Sequence, residues 1–122
     1  MTDIQTSPWG DVQHATELSQ GVTLVETASH GGLHLTGEAA RVIPLAVGRT
    51  FSNGPSWAEE DCELAIALTI LHEAGLMPSK KLLGSTPAKM AETARRIAER
   101  HSRYEPAMKH LPSSLNHEPT PE

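Results

Sequence analysis

Two short segments of the chain hold residue types that could do chemistry. The first is Ser29-His30-Gly31-Gly32, which is followed by a second histidine, His34. Beside two glycines the backbone can approach a ligand closely, while an imidazole stays within reach and titrates near neutral pH. The second is Glu59-Glu60-Asp61, three carboxylates in a row. We expect five side chains to contact a partner: His30, His34, Glu59, Glu60 and Asp61.

Metal binding would require the two histidines to converge. The runs of β-type sequence on either side of the glycines predict a hairpin in which Gly31-Gly32 form a two-residue turn. In such a hairpin His30 and His34 project from opposite faces, whereas zinc needs three or four converging ligands. The sequence therefore predicts neither a metal nor another cofactor.

The pattern does not favour nucleophilic catalysis. Cys62 is predicted to lie inside an apolar helix, where burial raises the pKa of a thiol and leaves it unreactive. Ser29 and His30 are neighbours in sequence, so in a strand they project to opposite sides and cannot pair as nucleophile and base. No catalytic residue is assigned. A small hydrolase that uses His30 with a metal or with carboxylates remains as the alternative.

The strands that would position the histidines are predicted from residue type. Residues 22–28 are rich in β-branched side chains and residues 33–36 alternate between apolar and polar, so the two runs predict antiparallel strands. Residues 42–47 predict a third strand, which Pro44 would place at an edge. We therefore expect a two- or three-stranded antiparallel sheet.

Two helices are predicted from their capping signals. Ser56 and Glu59 form an S-x-x-E capping box, which predicts a buried helix over about 56–74 with the following glycine as its stop. Thr86-Pro87 predicts the start of a second helix that runs to about Tyr104. The fold class is therefore α+β, with the small sheet packed on the buried helix.

By length the 122 residues form one domain. Residues 1–8 predict a flexible arm, residues 9–104 a single α+β domain, and residues 105–122 a disordered tail with few apolar side chains. Trp9-Gly10 is expected to anchor the start of the domain. Because two tryptophans, one tyrosine and one phenylalanine are its only large aromatic residues, the core is small, and a partner or a second copy of the chain would help to stabilise it.

Several properties predict a cytoplasmic protein without a membrane partner. No run reaches the roughly 20 apolar residues that cross a bilayer, and the polar first residues lack the pattern of a secretory signal. The single cysteine cannot form an internal disulfide, which is typical of a reducing compartment.

Charge is distributed unevenly along the chain. The net charge is −5, yet residues 1–75 hold ten acidic residues against two arginines, whereas residues 76–122 hold eight basic residues against five glutamates. An acidic body repels nucleic acid and favours a basic partner surface or the chain's own basic segment. Glu92 and Glu99 also interleave with the arginines of the second helix. We therefore expect no direct binding to nucleic acid, and a DNA-contacting regulator is the third alternative.

Three motifs together resemble a known family. They are Pro8-Trp9-Gly10 with Gln13, the stretch that leads from Gly21-Val22 to the histidine and its glycines, and the acidic triplet. Over residues 7–75 the chain resembles an uncharacterised small domain of bacteriophages, plasmids and proteobacterial mobile elements. In that domain an aromatic residue directly precedes the acidic triplet, whereas here Ala58 separates Trp57 from it.

The resemblance implies a genetic setting and no particular activity. Small acidic proteins from that setting are often inhibitors of host defence, of the anti-CRISPR or antirestriction type. We therefore expect a non-catalytic protein whose acidic surface covers a basic surface of a host defence complex that processes nucleic acid. Four residues are expected to support this surface structurally: Trp9, Gly10, Gly31 and Gly32.

Overall fold

The computed structural model describes residues 5–77 and 83–112. Its strands are β1 Thr6–Ser7, β2 Gly10–Asp11, β3 His14–Ser19, β4 Val22–Glu26, β5 Gly31–Leu35 and β6 Trp57–Glu59. Its α-helices are α1 Gly37–Val42, α2 Leu45–Gly48, α3 Glu63–Glu73 and α4 Pro87–Arg100, and a 3₁₀ helix spans Ser102–His110. The predicted α+β class is confirmed.

The main sheet is antiparallel, with four strands in the order β3-β4-β5-β6, and β1 and β2 form a separate small pair. The sheet is thus larger than the two or three strands predicted. The hairpin of β4 and β5 is confirmed, but its neighbours are β3 and β6. Sequence pattern misses β3 because the side chains of residues 14–17 are exposed and mostly polar, and it misses β6 because that strand has three residues.

The third strand predicted over residues 42–47 is wrong. α1 ends at Val42, Ile43 is extended with φ −73° and ψ 117°, and Pro44 precedes α2. A residue before proline disfavours the helical conformation, whereas proline itself suits the start of a helix. Pro44 therefore separates two short helices and does not mark a sheet edge.

The two-residue turn predicted at Gly31-Gly32 is also wrong. Glu26 pairs with Gly31, and the four residues between them form the hairpin loop, which the Thr27 amide closes by donating to the His30 carbonyl at 3.0 Å. The Thr27 hydroxyl accepts from the amides of Ser29 and His30 at 3.3 and 3.1 Å. A threonine side chain thus stabilises the loop by local hydrogen bonds, and both glycines lie in β5.

Gly31 and Gly32 are needed because other groups approach them closely. A Cβ atom on Gly32 would run into the Ala58 carbonyl oxygen and would lie 2.6 Å from Cη2 of Trp9. A Cβ atom on Gly31 would lie 2.7 Å from the Val25 carbonyl oxygen. The requirement for glycine therefore comes from packing in the sheet and under Trp9.

The capping box predicted at Ser56 and Glu59 does not form. β6 pairs there with β5, and α3 begins at Glu63 with Cys62 as its N-cap. Pairing with β5 buries Ala58 completely, and this tertiary gain overrides the local capping signal. The predicted stop is confirmed: Gly75 has φ +80°, its amide donates to the His72 carbonyl, and the Leu76 amide donates to the Leu71 carbonyl.

The core lies between the inner face of the sheet and the helices. The predicted burial of α3 is confirmed, since every residue from Ala65 to Leu71 is buried. α4 begins as predicted, with the Thr86 hydroxyl accepting from the Lys89 amide at 3.1 Å. Its buried residues are Met90, Ala91, Ala94 and Ala98. It ends at Arg100 instead of Tyr104, and the 3₁₀ helix follows.

The predicted boundaries of the domain change at both ends. Tyr104, Ala107 and Leu111 are buried, so the prediction of a disordered tail is wrong for residues 105–112, while residues 113–122 lie outside the described part. At the other end β1 pairs with β2, so the predicted arm is structured at Thr6–Ser7, and residues 1–4 lie outside the description. In the part of the chain that is described, no helix is long and apolar enough to cross a membrane.

Candidate functional site

The two segments that carry the chemically active residues meet at one end of the sheet. Gly32 of β5 pairs with Glu59 of β6, and the Glu60 amide donates to the Gly31 carbonyl at 2.9 Å. The hairpin loop, which ends at His30, therefore lies beside the residues that follow β6. We call the surface formed by His30, Glu59, Glu60 and Asp61 the acidic patch.

Three side chains of the acidic patch come close together. One ring nitrogen of His30 and one carboxylate oxygen each of Glu59 and Asp61 lie within 4.8 Å of one another. His30 and Asp61 are exposed and Glu59 is half-buried. An imidazole and a carboxylate are both groups that can ligate a metal ion.

His34 does not belong to this cluster. It lies opposite Trp57 in the register of β5 and β6, and its ring stacks on that indole with centroids 4.2 Å apart and planes 30° apart. Burial lowers the pKa of His34, because the charged imidazolium loses solvation there. The two histidines thus have different surroundings, although the register from which we predicted their separation is wrong.

Trp9 packs on the same face of the sheet. Its ring lies over Gly32 and meets Trp57 edge to face, with centroids 5.5 Å apart and planes at 89°. The Thr27 hydroxyl donates to the His30 carbonyl at 2.7 Å, and its oxygen also lies 3.3 Å from the Trp9 carbonyl oxygen, so the hairpin loop contacts the N-terminal segment. Gly10, with φ +121°, follows it and pairs with Ser7. The motif Pro8-Trp9-Gly10 thus contacts both the loop and the strands that carry the acidic patch.

Glu63 was missed by the sequence analysis. Its carboxylate is fully buried and accepts four hydrogen bonds. The donors are the Ser52 amide at 2.7 Å, the Ser52 hydroxyl at 2.9 Å, the Glu59 amide at 3.1 Å and the Tyr104 hydroxyl at 2.8 Å. Such a carboxylate is tolerated in the interior because its oxygens are satisfied. Glu63 therefore holds the backbone of Glu59 in place from below.

The thiol of Cys62 is not activated. Cys62 is half-buried at the N-cap of α3 instead of inside a helix as predicted. Burial raises the pKa of this thiol, and the negative charges of Asp61, Glu59 and Glu63 raise it further. A thiolate nucleophile at this position is therefore disfavoured.

A cleft of about 330 Å³ opens beside the acidic patch. It is lined by Gln13, His14, Glu26, Thr27, Ser29, His30, Gly31 and Glu60. A second cleft, of about 390 Å³, lies at the opposite end of β4 and β5, and among the described residues that line it Glu38 is the only titratable one. Of these two clefts, the first therefore has more titratable side chains in its lining, although the second is larger.

Comparison with known families places the chain by its sequence. It belongs to the family described as a domain of unknown function (DUF7007), which it matches over residues 2–110. Neither a curated protein nor a solved structure matches the chain. The match extends past residues 7–75, the range of the resemblance seen in the sequence, so α4 and the whole 3₁₀ helix also belong to the family's domain.

Proposed function

We propose that the protein acts by binding a partner, and that the acidic patch is its docking surface. Two separate segments, the hairpin loop and the end of β6 with the two residues after it, converge on one negatively charged surface, and this convergence is the main support. A basic surface on the partner would complement it, because opposite charges steer two proteins together and raise the association rate.

Local structure does not explain why three acids stand together here. The capping box and the helix dipole act in the first turn of a helix. In α3 the acidic residue of that turn is Glu63, whereas Glu59 belongs to β6 and the other two acids precede the helix. Among residues 5–77 and 83–112, no lysine or arginine forms an ion pair with the triplet. A basic partner would give these charges a counterpart.

We propose a host complex that processes nucleic acid in defence as this partner, with the protein acting as an inhibitor of the anti-CRISPR or antirestriction type. The resemblance to mobile-element proteins suggests this setting. Such complexes have basic surfaces because they neutralise phosphates. Carboxylates repel phosphates, so the protein would compete with nucleic acid for the complex and would not bind nucleic acid itself.

Reversal of charge tests the docking surface. Glu60→Lys with Asp61→Lys is expected to abolish protection of an infecting phage in a host whose restriction or CRISPR system is active, measured as efficiency of plating. The matched control is Glu17→Lys with Glu73→Lys, two exposed acids outside the patch that give the same change in net charge. Glu59 is left unchanged because its backbone is part of the sheet. Equal protection by both double variants, with both folded, would contradict the proposal.

A hydrolase is the second candidate, and the convergence of His30 with Glu59 and Asp61 is what favours it. In that case His30 would act as a general base, either alone or beside a metal, and a carboxylate would orient its ring. The expected result would be hydrolysis of a phosphodiester or ester substrate that His30→Ala abolishes and His14→Ala retains. Inhibition of a defence complex that persists in His30→Ala would instead favour binding without catalysis.

A further inference from the structure

We propose that His30, Glu59 and Asp61 bind one divalent transition-metal ion of the zinc or manganese type. His30 comes from the hairpin loop, Glu59 is the last residue of β6 and Asp61 follows that strand, so the ligands come from two parts of the chain. Their ligating atoms already lie within 4.8 Å of one another. Around a tetrahedral ion with bonds of about 2.1 Å, ligand atoms lie about 3.4 Å apart. Rotation of the exposed side chains of His30 and Asp61 closes this difference.

Hydrogen bonds hold the backbone on both sides of the site. The His30 amide donates to the Thr27 hydroxyl at 3.1 Å, and the Glu59 amide donates to the buried carboxylate of Glu63 at 3.1 Å. Glu63 is itself fully buried and is also bonded by Ser52 and Tyr104. The backbone of His30 and that of Glu59 are therefore each held by a hydrogen bond within the fold.

The ligand types indicate which ions would bind. Calcium and magnesium prefer oxygen ligands alone, and magnesium keeps most of its water. Imidazole together with carboxylates suits zinc, manganese, cobalt and nickel. Three protein ligands also leave at least one coordination position open to water or to a group of a partner, as is typical of sites that act on a second molecule.

The ion would change the charge of the acidic patch. Two carboxylates are neutralised when a divalent ion binds between them, so the patch would lose most of its attraction for a basic surface. This consequence rests on the proposed docking function, whereas metal binding itself does not. A bound divalent metal would therefore weaken docking to a basic surface, unless a group of the partner also ligated the ion.

Titration of the isolated protein tests the site without any partner. The full chain, without an affinity tag and stripped by a chelator, is titrated with zinc chloride in a calorimeter and with manganese chloride in an NMR tube. We expect one ion per chain and paramagnetic broadening by manganese of the His30 ring signals. His30→Ala and Asp61→Asn should weaken binding by more than about tenfold, the loss seen even when an outer partner of a metal ligand is removed. Circular dichroism checks that each variant is folded.

Two neighbouring residues supply matched controls. Glu60→Gln removes an adjacent carboxylate that is not one of the three ligands, and His14→Ala removes an exposed histidine of the same cleft. Both should bind the ion within about twofold of the wild type. No saturable binding, or equal losses in Asp61→Asn and Glu60→Gln, would overturn the site. A variant that no longer binds the metal but still protects phage would show that docking does not require the metal.

Discussion

The hydrogen bond between Tyr104 and Glu63 joins the 3₁₀ helix to the interior beneath the acidic patch. The phenol donates to the carboxylate at 2.8 Å, across 41 positions of sequence. A buried carboxylate is stable only when its oxygens are satisfied, and Tyr104 supplies one of the donors. Burial, the hydrogen bond and the negative charge of Glu63 together raise the pKa of Tyr104 to about 12.

Ultraviolet titration can measure this pKa directly, because Tyr104 is the only tyrosine of the chain. In the folded protein we expect the phenolate absorbance to appear at a pKa of about 12. In urea it should appear near 10. Since the pKa is higher in the folded state, the contribution of Tyr104 to stability is full below about pH 10 and is lost as the pH rises towards about 12. A folded protein that titrates near 10 would contradict the buried hydrogen bond.

Tyr104→Phe is the control for this titration. The variant should show no phenolate absorbance, and its unfolding free energy at pH 7 should be lower by about 1–3 kcal/mol, because the buried carboxylate of Glu63 loses one of its four hydrogen-bond donors. Urea denaturation at pH 7 measures the difference.

Among the elements, the start of α4 was predicted correctly because it depends on contacts between residues that are close in sequence. α4 begins at Thr86-Pro87, since the cap and the proline act within one turn. The start of α3 was predicted wrongly, because the same kind of signal at Ser56 competes with strand pairing between β6 and β5. Gly31-Gly32 carries a similar ambiguity: a tight turn and a close approach of Trp9 both require glycine, and the sequence does not distinguish them.

Two alanine substitutions compare these helix starts. Thr86→Ala should lower the unfolding free energy by about 0.5–2 kcal/mol, because the Lys89 amide loses its acceptor. Ser56→Ala should change it by less than about 0.5 kcal/mol, since within the described residues the Ser56 side chain caps no helix. Urea denaturation of both variants measures the contrast. Equal losses would mean that the capping box at Ser56 forms after all.

At the level of the whole molecule, the sequence predicted residues of the acidic patch but not its assembly. His30 and the acidic triplet stood out by type. They meet because β5 pairs with β6, whose partner residues lie 23 to 27 positions apart in sequence, and a periodic pattern of residue types does not predict such a pairing. The buried position of Glu63 was not predicted for the same reason, since its hydrogen-bond partners Ser52 and Tyr104 lie 11 and 41 positions away in sequence. One signal was available: a glutamate at the start of an otherwise apolar helix.

The contribution of the C-terminal segment, residues 105–112, to stability can be tested by removing it. Ala107 and Leu111 are buried in the core, and the Arg95 guanidinium donates to the Pro112 carbonyl at 2.9 Å. A chain that ends at Tyr104 should therefore be less stable than one that ends at Pro112 by about 2 kcal/mol or more, roughly the value of burying one large aliphatic side chain. Thermal and urea unfolding of the two truncated chains measure the difference. Equal stability would show that residues 105–112 do not stabilise the core, and that the domain ends at Tyr104, where the sequence alone had placed its boundary.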